Sequence, residues 1–259
     1  NIIATGAKPL AITNNMNFGN PERPKIMGQF VGCIKGMRDA CLKLDFPVVS
    51  GNVSLYNETD GKAIMPTPVI GGIGLLENAS NHITIDLKAA EETIVSIGTL
   101  SGWLGQSLYL REIFGQEEGA PPPINLDEEK SNGDFVLRMI EEKYVTACHD
   151  ISDGGLLIAI TEMAFSSLSK GKKLGVKIIN TANLDPFAFY FGEEQSRYII
   201  TTVHPEKLLK IAQKAGIVAN IIGKTTSNGQ LSLPDNCSVP LEELYTVHDT
   251  WLPEYMLGA

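Results

Sequence analysis

Two periodicities divide the first third of the chain. Lys8 to Thr13 (KPLAIT) reads as a short buried strand, and Thr13 to Pro21 (TNNMNFGNP) as a polar loop built from turn residues. From Lys25 to Leu44, apolar residues fall at Met27, Phe30, Val31, Ile34, Met37, Cys41 and Leu44. Steps of three and four place them on one face of a helix, with Pro21 and Pro24 suited to its start. Cys41 lies on that stripe and is expected in the core, whereas Cys33 falls off it. Phe46 to Val53 then reads as a strand, Tyr56 to Pro68 as a loop and Val69 to Leu76 as a strand. Glu77 to Ala90 is polar, with enough alternation in His82 to Leu87 (HITIDL) for a short strand.

A second run of elements begins with the β-branched strand Thr93 to Ile97, followed by the glycine-bearing turn Gly98 to Ser107. Such a turn could hold a phosphate at a helix start, although most are structural. Gln116 to Glu129 is acidic and proline-rich and reads as a surface loop, and Leu137 to Ile140 belong to the next helix. Val145 to Leu157 (VTACHDISDGGLL) is an apolar strand, two aspartates, two glycines and a helix running to about Leu168. Lys170, Lys172 and Lys173 make a basic turn that reads most simply as solvated. Strands follow at Gly175 to Ile179, Ile199 to Val203 and Ile217 to Gly223, with a helix at Pro205 to Ala215. The tail from Leu231 is proline-rich, and Trp251 is expected to pack on a surface or a neighbouring domain. Strands and helices mix throughout, so the class is α+β or α/β.

The richest chemistry lies in Ser50 to Thr59 (SGNVSLYNET). Gly51 has no side chain to keep a phosphate or ribose from the backbone. Asn52 offers an amide oxygen of the kind Mg²⁺ accepts. Ser54, two residues on, shares its side of an extended chain. On spacing alone the plainer reading is a strand ending in a turn. Downstream, Asp150 and Asp153 stand between a strand and a helix, as a Mg²⁺–phosphate site requires, though Asp153 reads equally well as a helix N-cap. His149 reads as a locally hydrogen-bonded core residue rather than a catalytic base.

Composition narrows the function. The 259 residues are 43% hydrophobic and 20% charged, enough for one large or two ordinary globular domains. A net charge of -9 argues against non-specific nucleic-acid binding. Cys33, Cys41, Cys148 and Cys237 form no CxxC pair, which points to reduced thiols in a cytoplasmic protein rather than disulfides or a zinc site. No apolar run approaches a membrane span, and no stretch of the chain reads as a signal peptide. The chain opens on Asn1 and reads as a fragment.

Six stretches in order, TNNMNFGNPERP, PVVSGNVSLYNET, TPVIGGIGLLEN, LGQSLY, HDISDGGLLIAITEMAF and FGEEQSRY, carry a family resemblance. Together they resemble the C-terminal half of the phosphoribosylformylglycinamidine synthase family, the PurL component of formylglycinamide ribonucleotide amidotransferase. DxxDGG alone is shared with aminoimidazole ribonucleotide synthetase, selenophosphate synthetase and thiamine-monophosphate kinase, so another ATP enzyme of that superfamily is an alternative. A structural or auxiliary nucleotide-binding scaffold is a further one.

The resemblance implies an α+β fold: a partial aminoimidazole-ribonucleotide-synthetase-like (PurM-like) A domain of barrel-forming strands plus helix, then an α/β B domain. The expected divisions are residues 1–78 for the A domain, 79–90 for a linker, 91–233 for the B domain and 234–259 for a tail. The implied activity is ATP-dependent conversion of formylglycinamide ribonucleotide and glutamine-derived ammonia to the amidine, through an iminophosphate. The implied partners are the N-terminal half of the same enzyme, which holds the family's catalytic histidine, a glutaminase subunit or domain and a small PurS-type subunit; alone, the fragment would be inactive. Carried over by motif, Asn14 and Gly51 would contact ATP, Asn52 would ligate Mg²⁺ and Ser54 would contact the ribonucleotide. Asn14 stands where the family usually has Asp, which removes a charge from the nucleotide contact. Asp150, Asp153, Glu194 and Gln195 match positions that, in the family's first copy, help hold substrate and metal. The resemblance implies that in this second copy the site is auxiliary and not catalytic, with Asp150 and Asp153 as phosphate–metal candidates. Glu193 and Glu194 also read as flanking a strand.

Overall fold

The computed structural model describes residues 1–179, 183–234 and 236–258. It divides into two compact units, one of Ala7–Ala79 with Ile2, the other of Ser80 onward with Asn1 and Ile3–Gly6.

In the first unit, β1 (Lys8–Asn17) is the centre of a three-stranded sheet, with the helix α1 (Pro24–Leu44) between β1 and β2 (Val48–Ser54). A small hairpin, β3 (Glu58–Thr59) and β4 (Lys62–Ala63), precedes β5 (Thr67–Leu75). Its two turn residues, Asp60 (φ 49°) and Gly61 (φ 75°), are both left-handed, as a tight hairpin requires. β1 runs parallel to β2 on one side and antiparallel to β5 on the other. This double pairing corrects the expected polar loop: Asn14 to Asn17 are strand, because hydrogen bonds on both edges outweigh the turn preference of asparagine.

The α1 stripe is also corrected. Ile26 is buried with Met16 and Phe18, and Phe30, Cys33 and Met37 pack against them. Met27, Val31 and Ile34 are 40–44% exposed. Cys33, not Cys41, therefore lies against this core, because the inward face is rotated from the stripe that spacing picked out.

The second unit is built on a seven-stranded sheet. Its strands are β6 (Thr93–Ile97), β7 (Ala147–Asp150), β8 (Gly175–Ile178), β9 (Tyr198–Thr202), β10 (Ala219–Thr226), β11 (Gln230–Ser232) and β12 (Ser238–Pro240). The order is β12-β11-β8-β10-β6-β9-β7, antiparallel except between β11 and β8. Helices are α2 (Leu108–Phe114), α3 (Leu126–Glu141), α4 (Gly155–Leu168), α5 (Pro186–Phe191), α6 (Pro205–Ala215) and α7 (Leu241–Leu257). Strand alternation sends side chains to two cores. Tyr198 and Ile200 of β9 join Phe135, Met139 and Leu208 on one face, while Ile199 joins Leu156, Ile160 and Phe189 on the other.

Several expectations change here. His82 to Leu87 forms no strand. Its residue Asp86 is buried and meets Lys88 Nζ at 2.8 Å, Lys170 Nζ at 2.7 Å and Lys172 Nζ at 3.8 Å, so two lysines of the basic turn reach a buried carboxylate while their side chains stay about half-exposed. α3 begins at Leu126, inside the segment read as loop, with Asn125 Oδ1 accepting from the N–H groups of Asp127 and Glu128. The tail carries β12 and α7; Trp251 is exposed and stacks on Tyr255.

Candidate functional site

The β1–β2 register places Asn14 beside Gly51, Asn15 beside Asn52 and Asn17 beside Ser54. Paired residues in a sheet point the same way and successive ones point oppositely. The four expected site residues therefore separate by face. Asn52 and Ser54 share one face with Thr13, Asn15, Asn17 and Ser50, a polar row. Asn14 and Gly51 point to the other, with Ile12 and Met16, where Asn14 Nδ2 lies 3.9 Å from Met37 Sδ of α1.

The room left by the missing side chain of Gly51 is filled. A β-carbon there would collide with Asn14 Oδ1 and come within 3.0 Å of Asn14 Cγ. The Asn14 amide thus occupies the space a side chain at Gly51 would need, while the Gly51 backbone itself is exposed.

On the polar face, Asn52 Nδ2 donates to Asn15 Oδ1 at 3.1 Å. That bond fixes the amide and leaves Asn52 Oδ1 as an exposed neutral oxygen, suited to one position around Mg²⁺. Among the described residues no three His, Cys, Asp or Glu side chains converge as a metal cluster. The residues present fit one ligand of the ion, with phosphate oxygens and water able to complete its shell. Ser54 is half-buried, and its Oγ lies 3.3 Å from Asn57 Oδ1.

In the second unit, Asp150 is engaged. His149 Nδ1 stands 3.4 Å from Asp150 Oδ1, without the alignment of a hydrogen bond, and His149 Nε2 lies 3.0 Å from Glu162 Oε2. Burial pulls the imidazole toward neutrality, but the carboxylates of Asp150 and Glu162 overcome it and raise its pKa to about 9. The adjacent imidazole in turn lowers that of Asp150. His149 is the locally paired residue expected.

Asp153 is not an N-cap: Gly154 occupies that position, with no side-chain cap bond, and Asp153 is exposed. Gly154 and Gly155 have φ of 77° and 73°, a bend open to glycine.

Five backbone N–H groups, of Ser101, Gly102, Trp103, Leu108 and Gly154, are occupied by internal carboxylates. Glu193 Oε1 accepts from Leu108 N and Gly154 N, each at 2.8 Å. Glu194 Oε1 accepts from Ser101 N at 2.8 Å and Gly102 N at 3.0 Å, and its Oε2 from Trp103 N at 3.2 Å. Glu194 Oε2 also lies 3.4 Å from Nη2 of Arg197, whose side chain is fully buried. The glycine-bearing turn is thus held by an internal carboxylate, in keeping with the structural reading of such turns. Sequence reasoning treated this pair as flanking a strand; the available signal was two adjacent carboxylates and an arginine beside otherwise apolar elements. Asn15 and Asn57 were missed too, because only strand register and the bend at Tyr56 show what they touch.

Two family descriptions match the chain: "AIR synthase related protein, N-terminal domain" over residues 1–76 and "AIR synthase related protein, C-terminal domain" over residues 89–236. The chain is 52% identical over its whole length to phosphoribosylformylglycinamidine synthase subunit PurL of Bradyrhizobium sp. strain BTAi1, and spans 35% of that protein. Among solved structures, T. maritima PurL complexed with FGAR aligns with a TM-score of 0.71 at 20% identity, covering 94% of this chain and 40% of that one. T. maritima PurL complexed with ATP aligns with a TM-score of 0.69 at 19% identity, covering 94% and 39%. These structural likenesses establish the shared α+β fold. With the two domain descriptions matched in succession, the second across more than half of its residues, the chain belongs to the AIR synthase related protein family.

Proposed function

We propose that this chain forms the nucleotide-, metal- and substrate-facing part of a phosphoribosylformylglycinamidine synthase, an ATP-dependent carbon–nitrogen ligase of purine biosynthesis. The observation that carries the reading is the polar face of the first sheet, where Asn52 is fixed by Asn15 and Ser54 by Asn57. The 52% identity to PurL along the whole chain supports it, as do the ATP and FGAR complexes of the T. maritima protein with the same fold.

In this reading Asn52 Oδ1 would hold Mg²⁺, Ser54 would contact formylglycinamide ribonucleotide, and Asn14 and Gly51 would contact ATP. Bound Mg²⁺ supplies positive charge to the transferring phosphoryl group. The amide oxygen of the ribonucleotide takes the γ-phosphoryl group and ADP leaves. Ammonia then adds to the activated carbon, and phosphate departs with the former amide oxygen, giving the amidine. A glutaminase and a PurS-type subunit would supply the ammonia. The remainder of a PurL-length enzyme would complete the site, since one wall cannot orient every reactant. Asp150 and Asp153 would supply carboxylate oxygens to an auxiliary phosphate–metal site.

The test is ammonia-dependent synthesis by the complete enzyme carrying Asn52→Ala. The expected result is at least about a tenfold fall in rate with a raised Mg²⁺ requirement. An unchanged rate at unchanged Mg²⁺ demand would overturn the reading.

A further inference from the structure

We infer that Asn57 is a positioning residue that holds the Ser54 hydroxyl as a hydrogen-bond acceptor for the ribonucleotide. This rests on the substrate role of Ser54 proposed above and adds the polarity of the contact.

The chain reaches Asn57 through Tyr56, whose φ of 60° is left-handed and turns the segment sharply after β2. Three backbone bonds then fix that bend: Tyr56 N–H to Gly19 O at 3.1 Å, Asn57 N–H to Phe18 O at 3.1 Å, and Ile64 N–H to Asn57 O at 3.0 Å. A bulky residue held at positive φ is uncommon, and here the surrounding bonds over-determine it.

The Asn57 side chain, half-buried, faces back to the strand end. Its Nδ2 donates to Phe18 O at 3.0 Å and to Ser54 O at 2.9 Å. Main-chain carbonyls can only accept, so they fix which end of the amide is nitrogen and occupy both of its hydrogens. Ser54 Oγ lies 3.2 Å from Nδ2 and 3.3 Å from Oδ1. With the amide hydrogens taken, the hydroxyl proton goes to Oδ1. The lone pairs of Ser54 Oγ are left for a ligand. They suit an N–H or O–H donor, such as a ribose hydroxyl or the amide of the formylglycinamide arm, and repel a phosphate oxygen.

The experiment is a double-mutant cycle in the complete enzyme, reading the KM for ribonucleotide, the KM for ATP and the thermal midpoint. Ser54→Ala and Asn57→Ala are each expected to raise the ribonucleotide KM about tenfold, the size of one hydrogen bond, with the ATP KM unchanged. In the Ser54→Ala background, Asn57→Ala should add less than about twofold, because the hydroxyl it orients is gone. Full multiplication of the two effects, or an equal rise in the ATP KM, would show a merely structural asparagine and overturn the inference. If Asn57→Ala does not fold, Asn57→Gln serves in the same cycle: it keeps an amide but displaces Oδ1 by a methylene, and the same outcomes decide. If Ser54→Ala alone leaves the ribonucleotide KM unchanged, the substrate role of Ser54 fails, and the positioning role with it. If only the Asn57 variants are silent, the positioning role alone fails.

Discussion

The side-chain oxygen of Asn14 occupies the place a β-carbon on Gly51 would take, so the two adjacent strands are matched by one residue's lack of a side chain. Gly51→Ala should therefore destabilise the chain by about 1–3 kcal/mol, the usual cost of overpacking. Asn14→Ala should recover part of that loss, since Asn14 Oδ1 and Cγ are the main obstruction. The recovery is partial because Asn14 O also lies 3.1 Å from the added carbon. Urea unfolding of the two single variants and the double variant measures the coupling.

The His149 cluster sets a dependence on pH. An imidazole whose pKa is raised to about 9 in the fold, against an ordinary 6.5, stabilises fully below about pH 6.5 and loses its contribution as pH rises through about 9. Asp150 works from the other side: its lowered pKa gives stability above the ordinary 3.8 that is lost at more acid pH. Stability should decline between about pH 6.5 and 9, and His149→Gln should flatten that slope. Thermal midpoints across the range test this, and an unchanged slope in the variant would refute it.

Glu194 holds three backbone donors and faces a buried arginine. Glu194→Ala would strand three backbone donors and leave the Arg197 guanidinium buried without its carboxylate. The expected cost is about 3–5 kcal/mol, enough to abolish folding of a marginal domain. Glu194→Gln keeps an acceptor oxygen and should be milder. Circular dichroism melts of the two variants give the comparison.

The Asp86 cluster should be robust to loss of any one lysine. Burial raises the carboxyl pKa, but hydrogen bonds from Lys170, Lys88 and Thr84 overcome it and hold the pKa well below the usual range. Lys170→Ala leaves Lys88 in place and should cost less than about 1 kcal/mol, as for half-exposed pairs. Asp86→Ala releases all three cations at once and should cost about 2 kcal/mol or more. Denaturant midpoints distinguish the two.

Much of the fold was legible because periodicity reports burial. The range of α1, the strands at β6 and β9 and the helices α4 and α6 follow from it. What spacing could not supply was orientation. It placed seven residues of α1 on one face but not which edge of that face meets Met16 and Phe18, so Met27 and Ile34 came out exposed. Asn14 to Asn17 read as loop because local preference carries no information about strands on both sides. The same limit hid the site: Asn52 and Ser54 share a face as alternation requires, yet their partners Asn15 and Asn57 emerge only from strand register and a left-handed bend at Tyr56. Glu193 and Glu194 were invisible as anion surrogates because the N–H groups they seal are more than 30 residues away in sequence.

The first sheet ends on both sides in an outer strand. β2 and β5 are those edges, and Val49, Ile73 and Leu75 on them are 65%, 57% and 50% exposed. Open backbone edges flanked by bare aliphatic side chains are templates for adding another strand. Purified by itself, this chain should behave as a concentration-limited protein: dilute samples monodisperse, concentrated ones drifting toward larger species. Its melting temperature would then report the protein's company as much as its own bonds.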